Sequence, residues 1–199
     1  METFYRFDRE ERIALTLRAR EIGEPLMVRW NDLDADAGEQ WDLRGAAAAE
    51  WLSAASSIAD LGCGAMNLEH HLDISQTYVP VDVVRRNDRT LVLDLNKSRD
   101  LDRLPEAQAC AILGVLEYVY AADALVSALG RAYRQVVVSF NVRHAGQTVG
   151  ERLAHGWVNH FTYADVVHLF TARGFVRTRE RQFEGRRRER LFDFRRADG

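Results

Sequence analysis

The sequence predicts an α/β fold built on a largely parallel sheet. Short apolar segments alternate with helical segments along most of the 199 residues. Several of the apolar segments are continuous, which is typical of parallel strands covered on both faces. The last two segments alternate apolar and charged residues around Glu184 and Gly185, so they predict a closing antiparallel hairpin. A hydrophobic content of 47% is enough for one domain of ordinary size.

Seven segments have the composition of strands and five that of helices. The first helix is predicted at residues 7–22, where apolar residues recur at helical spacing before Gly23 and Pro25. A helix at 121–132 precedes the strand at 136–140, as a crossover connection requires. The other predicted helices cover 44–55, 66–72 and 163–173. The predicted strands cover 57–61, 78–84, 90–95, 109–115, 136–140, 175–183 and 190–196.

Charge and composition exclude several classes of protein. The net charge of -3 gives no general reason to expect a polyanionic partner. No apolar run approaches the ~20 residues of a membrane span, and the charged N-terminal residues predict a cytoplasmic protein rather than a secreted one. From Arg173 to Gly199 ten arginines face five acids. That basic end is interpreted as a solvated hairpin face, with a docking surface for a phosphate-bearing substrate, RNA or a protein partner as the alternative.

The most informative segment is SIADLGCGAMNLEHHL, residues 57–72. Asp60 ends a predicted strand and is followed by Gly62 and Gly64, which allow the backbone to turn sharply and approach a ligand closely. The amides at the start of the predicted helix that follows are expected to accept an anionic group. Asp82 ends the next strand, 22 residues after Asp60, where an acid can accept hydrogen bonds from a ribose diol.

Two further strand ends complete the pattern. Asp94 and Leu95 end the third strand, where a short acid can meet the exocyclic amino group of a purine. The fourth strand ends in GVLEY, with Gly114 and Leu116 as the predicted floor of the same crevice. Ligands of open α/β sheets bind at the carboxyl ends of the strands, so the four blocks predict one site.

With its DLGCG, VPVDVV, DLN and GVLEY blocks, the chain resembles the class I S-adenosylmethionine-dependent methyltransferases, nearest to a small bacterial group. The resemblance implies a Rossmann-like sheet of order 3-2-1-4-5-7-6 with strand 7 antiparallel and helices on both faces. It also implies that S-adenosylmethionine is the cofactor. The residues themselves show no cluster at metal-ligand spacing, so we expect no metal. By the same resemblance the cofactor residues are Asp60, Gly62, Cys63, Gly64, Asp82, Val83, Asp94, Leu95, Gly114 and Leu116.

One residue departs from that pattern. Members of the group commonly have a third glycine where this chain has Met66. A side chain there could narrow the site or pack beneath it. A nicotinamide site is the nearest competing interpretation, but Asn67 replaces the third glycine of GxGxxG.

Catalytic and acceptor-binding residues are less clearly indicated. A hydroxyl or ammonium acceptor needs a base, and His160 and His144 are the candidates because imidazole titrates near neutrality. A carboxylate acceptor would need none. Asn159, Tyr118 and Tyr120 are the candidate substrate-binding residues, while Thr162 could simply cap the following helix. The six histidines show no clustering at metal-ligand spacing.

The sequence therefore predicts a single methyltransferase domain, with residues 1–50 as a helical extension or lid containing Trp30 and residues 57–196 as the core. The expected activity is O- or N-methylation of a small molecule. We expect a monomer or homodimer that has no membrane partner and does not use nucleic acid as its main partner. Two alternatives are an RNA methyltransferase that uses the arginine-rich hairpin and a non-catalytic relative that binds cofactor or a partner.

Overall fold

The computed structural model describes residues 4–31, 39–183 and 189–197, apart from the side chains of Glu39 and Gln40. The strands within these residues form a seven-stranded sheet of order β3-β2-β1-β4-β5-β7-β6. They are β1 (Ser57–Leu61), β2 (Thr77–Asp82), β3 (Leu91–Val92), β4 (Ala109–Leu113), β5 (Gln135–Asn141), β6 (Phe175–Gln182) and β7 (Glu189–Arg196). β7 is antiparallel to β5 and β6, and the remaining pairs are parallel. The predicted fold class and strand order are confirmed.

Helices lie on both faces of this sheet because alternate residues of its strands are buried in two different cores. Cys110 and Ile112 of β4 belong to the larger core, and Ala109 and Ala111 belong to the smaller one. The helices of the described residues are α1 (Arg9–Ile22), α2 (Met27–Trp30), α3 (Glu39–Leu52), α4 (Ser98–Leu101), α5 (Ala122–Ala132), α6 (Val149–Leu153) and α7 (Tyr163–Thr171). α3 packs in the smaller core, and α5 and α7 pack in the larger one. None of the helices in the described ranges is long and apolar enough to cross a membrane.

Local sequence sets the helix ends. Asp8 and Glu11 form a reciprocal capping box at the start of α1, and Gly23 ends that helix in the left-handed conformation. Thr162 and Asp165 form the same box at the start of α7, which confirms the capping interpretation of Thr162.

The predicted helix at 66–72 is wrong. The chain there forms only a 3-10 turn at Glu69–His71, because Met66 has a φ of 60°, which lies in the left-handed region and cannot continue a right-handed helix. The expected anion site at a helix N-terminus is therefore not formed. The third predicted strand is also shorter than expected, since only Leu91–Val92 pairs with β2.

The N-terminal segment is tied to the ends of the sheet strands by a few polar contacts. Lys97, the only lysine of the chain, donates to the Gly23 carbonyl at 2.7 Å and to Glu24 Oε1 at 3.0 Å. Tyr120 Oη donates to the Glu24 carbonyl at 2.6 Å. These bonds hold the loop between α1 and α2 against the turns that follow β3 and β4.

Arg152 organises the segment that follows β5. Its side chain is fully buried and donates to the carbonyl oxygens of Asn141 (2.8 Å) and Asn159 (2.8 Å) and to Gln147 Oε1 (3.3 Å). The guanidinium also lies over the rings of Phe140 and Trp157. One cation therefore satisfies the polar groups at both ends of the connection between β5 and α7.

We expect Arg152→Leu to lower the free energy of unfolding by about 2–4 kcal/mol, because carbonyl groups buried without a donor each cost free energy. Urea unfolding followed by circular dichroism measures the loss. Arg143→Leu is the matched control, since Arg143 is exposed, and should change stability by less than about 0.5 kcal/mol. Equal stability of the two variants would contradict this role of Arg152.

Candidate active site

A cavity of about 630 Å³ lies at the carboxyl ends of β1, β2 and β4. The connections from these central strands leave toward opposite faces of the sheet, which opens a crevice at their ends. The N-terminal segment contributes Pro25, Leu26, Arg29 and Trp30 to the lining, and α3 contributes Trp41, Arg44 and Gly45. The site is therefore formed by strand ends on one side and by the first three helices on the other.

The turn after β1 is shaped by two glycines in the left-handed region, Gly62 (φ 80°) and Gly64 (φ 50°). The amides of Gly62 and Cys63 donate to the Val81 carbonyl at 2.8 and 3.0 Å, which couples this turn to the end of β2. A Cβ atom at Gly62 would lie 2.3 Å from Val115 Cγ2. Only glycine fits there, because the turns after β1 and β4 approach each other so closely.

Asp82 joins three parts of the site. Its Oδ2 accepts from the Gly64 amide at 2.9 Å, and its Oδ1 accepts from the Val84 amide at 2.9 Å and from Arg86 Nη2 at 3.2 Å. Arg86 Nη1 in turn donates to the Trp30 carbonyl at 2.9 Å. The carboxylate is thus ionically paired and buried, and Oδ2 keeps capacity for a further donor.

Asp60 is the second buried acid of the lining, 3% exposed. Burial raises its pKa to about 7, while the 2.7 Å hydrogen bond from Tyr78 Oη to Oδ2 opposes the shift. Asp82 and Glu69 raise the pKa further and Arg44 lowers it. A carboxyl group poised near neutrality can change its charge when a cation binds beside it.

Most of the residues predicted to bind cofactor share this cavity. Asp60, Gly62, Cys63, Gly64, Asp82, Val83, Asp94, Leu95 and Gly114 are part of its lining. Leu116 is not, because its side chain is buried in the larger core. Burial and the neighbouring Asp60 raise the pKa of the Cys63 thiol, so Cys63 stays protonated and acts here as a small packing residue.

The predicted substrate residues divide in two. Tyr118 and Tyr120 are in the cavity lining, and Tyr118 Oη accepts from Arg29 Nη2 at 3.1 Å and from Trp157 Nε1 at 3.0 Å. Asn159 lies outside the lining. Its Nδ2 donates to the carbonyl oxygens of Leu116 and Val119, so its side chain braces the turn after β4.

Neither candidate histidine reaches the cavity. His144 is exposed, and its Nδ1 lies 2.7 Å from the carbonyl of Ala145. His160 is partly buried, and burial together with nearby arginines lowers its pKa. The structure therefore brings no imidazole from these two positions to the site, and their assignment as bases rests on the sequence alone.

Several charged or polar residues in the lining were missed by the sequence analysis, among them Arg44, Glu117, Asn141 and Glu189. Arg44 lies against Gly114, where an added Cβ would be 2.6 Å from its Nη1, and donates to Glu189 Oε1 at 2.9 Å. Glu117 is fully buried. The signal that could have found Glu117 is its place in GVLEY, directly after a buried strand, whereas Arg44 sits in an alanine-rich helix and gives no signal.

Met66 occupies the position of the third glycine and has the backbone conformation a glycine would adopt. Its side chain is buried and Sδ accepts from Asn87 Nδ2 at 3.3 Å. Met66 is not in the lining, so it packs beneath the turn and does not narrow the cavity.

The arginine-rich hairpin is internally paired in the part of the chain that the structure describes. Arg177 and Arg190 pair with Glu180, Arg179 and Arg195 pair with Asp193, and Arg181 pairs with Glu50. These pairs favour the solvated-face interpretation. Arg186, Arg187 and Arg188 lie outside the described residues.

No cluster of three or more histidine, cysteine or acidic residues suited to a metal ion occurs in residues 4–31, 39–183 and 189–197.

Comparison with known proteins agrees with the fold. No protein-family model matches the sequence, and no curated protein is significantly similar to it. Magnesium protoporphyrin IX methyltransferase from Synechocystis PCC 6803, solved with bound SAH, has a TM-score of 0.60 at 18% identity over 79% of this chain and 84% of its own. The pyocyanin biosynthetic protein PhzM gives 0.62 at 16% identity over 98% and 71%. Human N-acetylserotonin methyltransferase, in complex with SAM, gives 0.61 at 15% identity over 96% and 57%.

These similarities show that the chain has the class I methyltransferase fold. That is the fold that the strand order defines independently.

We expect Met66→Gly to be more stable than Met66→Ala by about 1 kcal/mol, because both variants lose the side chain and only alanine keeps the left-handed strain. Thermal unfolding compares the two. Ala46→Gly in α3 is the control and should show the opposite order, with glycine costing roughly 0.5–1 kcal/mol. If the two Met66 variants are equally stable, the loop does not need this backbone conformation.

We expect the contribution of Asp60 to stability to fall as pH rises from about 4 to about 7. The carboxyl titrates near its ordinary pKa of 3.8 in the unfolded chain and near 7 in the folded protein, so the folded state holds an extra proton within this window. The difference in unfolding free energy between the wild type and Asp60→Asn, measured by urea titration at several pH values, should follow this slope. Tyr78→Phe should move the window upward, and a flat difference would contradict the raised pKa.

Proposed function

We propose that the chain transfers a methyl group from S-adenosylmethionine to the oxygen or nitrogen of a small-molecule acceptor. The observation that supports this most is a single cavity in which the ends of β1, β2 and β4 bring together the four sequence blocks. The neighbours named above include methyltransferases solved with SAM or SAH. The proposal extends the chemistry of these neighbours to this chain.

The residues present fit such a cofactor. The turn after β1 places Gly62, Cys63 and Gly64 in the cavity lining, so largely backbone faces the cofactor there, and Val115 leaves room only for glycine at Gly62. Asp82 Oδ2 has a lone pair left for a ribose hydroxyl, and Asp60 can carry the negative charge that a sulfonium or ammonium group favours. Asp94, Leu95 and Val83 supply the wall proposed for the adenine.

In this proposal the cofactor, when bound, supplies the activated methyl group. The chain's own residues bind and orient the reactants, and they exclude water from the cavity. Asp82 holds the turn after β1 against the end of β2, while Trp30 and Trp41 cover the cavity from the N-terminal side. Holding two reactants in line can contribute several kcal/mol, on the order of 7–11 for well-oriented groups. Residues 1–50 would then act as the lid of a single domain.

The structure gives less support to the two alternatives. An RNA methyltransferase needs exposed cations for phosphate contacts, and the arginines of β6 and β7 named above are already paired. A non-catalytic role was suggested by Met66, whose side chain lies outside the cavity lining.

Thermal unfolding with S-adenosylmethionine, S-adenosylhomocysteine or NAD tests the cofactor. At about 100 times the dissociation constant, binding should add ~2.7 kcal/mol and raise Tm by several degrees for the first two ligands only. Asp82→Ala should abolish most of that shift, because the ribose acceptor is lost. Its own baseline Tm should also fall, since three donors lose their partner.

Asp88→Ala is the matched control, because Asp88 is an exposed acid in the turn after β2. It should keep the full shift. An equal shift in Tm for Asp82→Ala and the wild type would overturn the ribose assignment. A shift in Tm with NAD alone would overturn the assignment of S-adenosylmethionine as the cofactor.

A further inference from the structure

One carboxyl oxygen in the cavity lining has no partner. Glu117 follows β4 in a 3-10 turn (Leu116–Tyr118) and its side chain is 0% exposed. Its Oε1 accepts from the amide of Asn141 at 2.8 Å and from Asn141 Nδ2 at 3.0 Å. Oε2 is buried without any hydrogen bond. Buried carboxylate oxygens are normally satisfied, so this orphaned acceptor calls for a donor that the chain does not supply.

The backbone of Glu117 is also held by hydrogen bonds. The carbonyl of Glu117 accepts from the amides of Val158 (2.8 Å) and Asn159 (3.2 Å), so the turn after β4 is bound to the segment before α7. Asn141 at the end of β5 donates to Oε1 of Glu117 and leaves Oε2 without a partner. The arrangement is that of a positioned carboxyl group with one free oxygen.

The surrounding lining favours a planar ring. The rings of Trp30 and Tyr118 meet edge to face with centroids 4.5 Å apart, and Trp157 is hydrogen-bonded to Tyr118. Trp41, also in the lining, lies against the Arg44 guanidinium. Arg44 Nε is a second buried atom without a partner, and it is a donor. The lining thus offers aromatic surface, one orphaned acceptor and one orphaned donor.

We propose that Glu117 is the base that removes the proton from the acceptor, and that the acceptor is a hydroxyl group on a planar aromatic ring. This inference rests on the proposed methyl transfer. The hydroxyl proton passes to Glu117 Oε2, the oxygen lone pair forms the bond to the methyl carbon, and the carbon–sulfur bond breaks with its electron pair left on sulfur. Glu117 then returns the proton to solvent.

The acidity of the acceptor hydroxyl decides whether a carboxylate can remove its proton. A phenol with a pKa of about 10 can share its proton with a carboxylate, whereas an aliphatic alcohol with a pKa near that of water, about 15.7, is out of reach. Burial raises the pKa of Glu117, and Glu189 of β7 raises it further, while the bonds from Asn141 oppose the shift. A raised pKa makes the carboxylate a stronger base. Arg44 of α3 pairs with Glu189 at 2.9 Å, which offsets the negative charge of Glu189.

The test compares the wild type and Glu117→Gln, each with two phenols as acceptors. One phenol has an ordinary pKa of about 10, and the other carries nitro groups and is already ionised at the assay pH. With the ordinary phenol the variant should lose at least ~100-fold in kcat with KM changed by less than about 3-fold. With the acidic phenol it should lose less than about 10-fold, because no proton needs to be removed.

Glu50→Gln is the matched control, an exposed acid on α3 paired with Arg181, and should leave both rates unchanged. Equal losses for the two phenols would show a structural role and overturn the proposal. Unchanged rates would overturn it as well. Methylation of amines or aliphatic alcohols but not phenols would overturn the acceptor class while leaving methyl transfer intact. No transfer to any acceptor, with S-adenosylmethionine bound, would overturn the proposed function itself.

A measurement on the wild type keeps the proposal testable if Glu117→Gln does not fold. With the ordinary phenol, kcat should rise with pH through the titration of the carboxyl and level off well below the phenol's own pKa. A rate that rises all the way to a pH of about 10 would show that only free phenolate reacts, and would overturn the role of Glu117.

Discussion

The crevice between the ends of β1 and β4 is the constraint on which the rest of the site depends. β1 pairs with β2 on one side and β4 on the other, all parallel, so three chain connections must leave the same edge of the sheet. They diverge toward opposite faces and leave a space that no strand fills. At this edge the turns after β1 and β4 approach so closely that Gly62 has no room for a side chain beside Val115, and Asp60, Asp82 and Glu117 lie around the same cavity.

The buried charges around the crevice form two groups of different character. Asp82 is satisfied by three donors, including Arg86, and thereby fixes backbone. Glu117 is half satisfied, with one oxygen bonded and one without a partner. A carboxylate whose two oxygens both have partners helps to fix the backbone around it, whereas a carboxyl oxygen buried without a partner stores free energy that a ligand can recover. In the proposed function the first group holds the cofactor half and the second faces the acceptor.

The sequence predicted the sheet well, and most of the residues it selected at the strand ends line one cavity, because both features depend on local patterns. Strand ends such as Asp60 and Asp82 are recognisable from an apolar run that stops at an acid beside glycine. The part of the lining around Arg44, Glu117 and Glu189 depends on contacts between distant segments. Arg44 reaches Glu189 across 145 positions, and no spacing rule anticipates that pair. Asn159 and His160 were selected for their chemistry, but a polar side chain can equally brace a turn, as Asn159 does. The prediction of a helix at 66–72 was wrong because the tertiary path of the loop sets φ at Met66 in the left-handed region.

The two edges of the sheet differ in length and in charge. An exposed strand edge can template pairing with another chain, and natural proteins block it with short strands or charge. β3 has only two residues, too few to recruit a partner strand. β6, the opposite edge, carries Arg177, Arg179 and Arg181 along its length, and each of them forms an ion pair with an acid of this chain. Charged side chains and the register shift between Arg177 and Arg179 are features that make an edge strand a poor template for pairing with another chain.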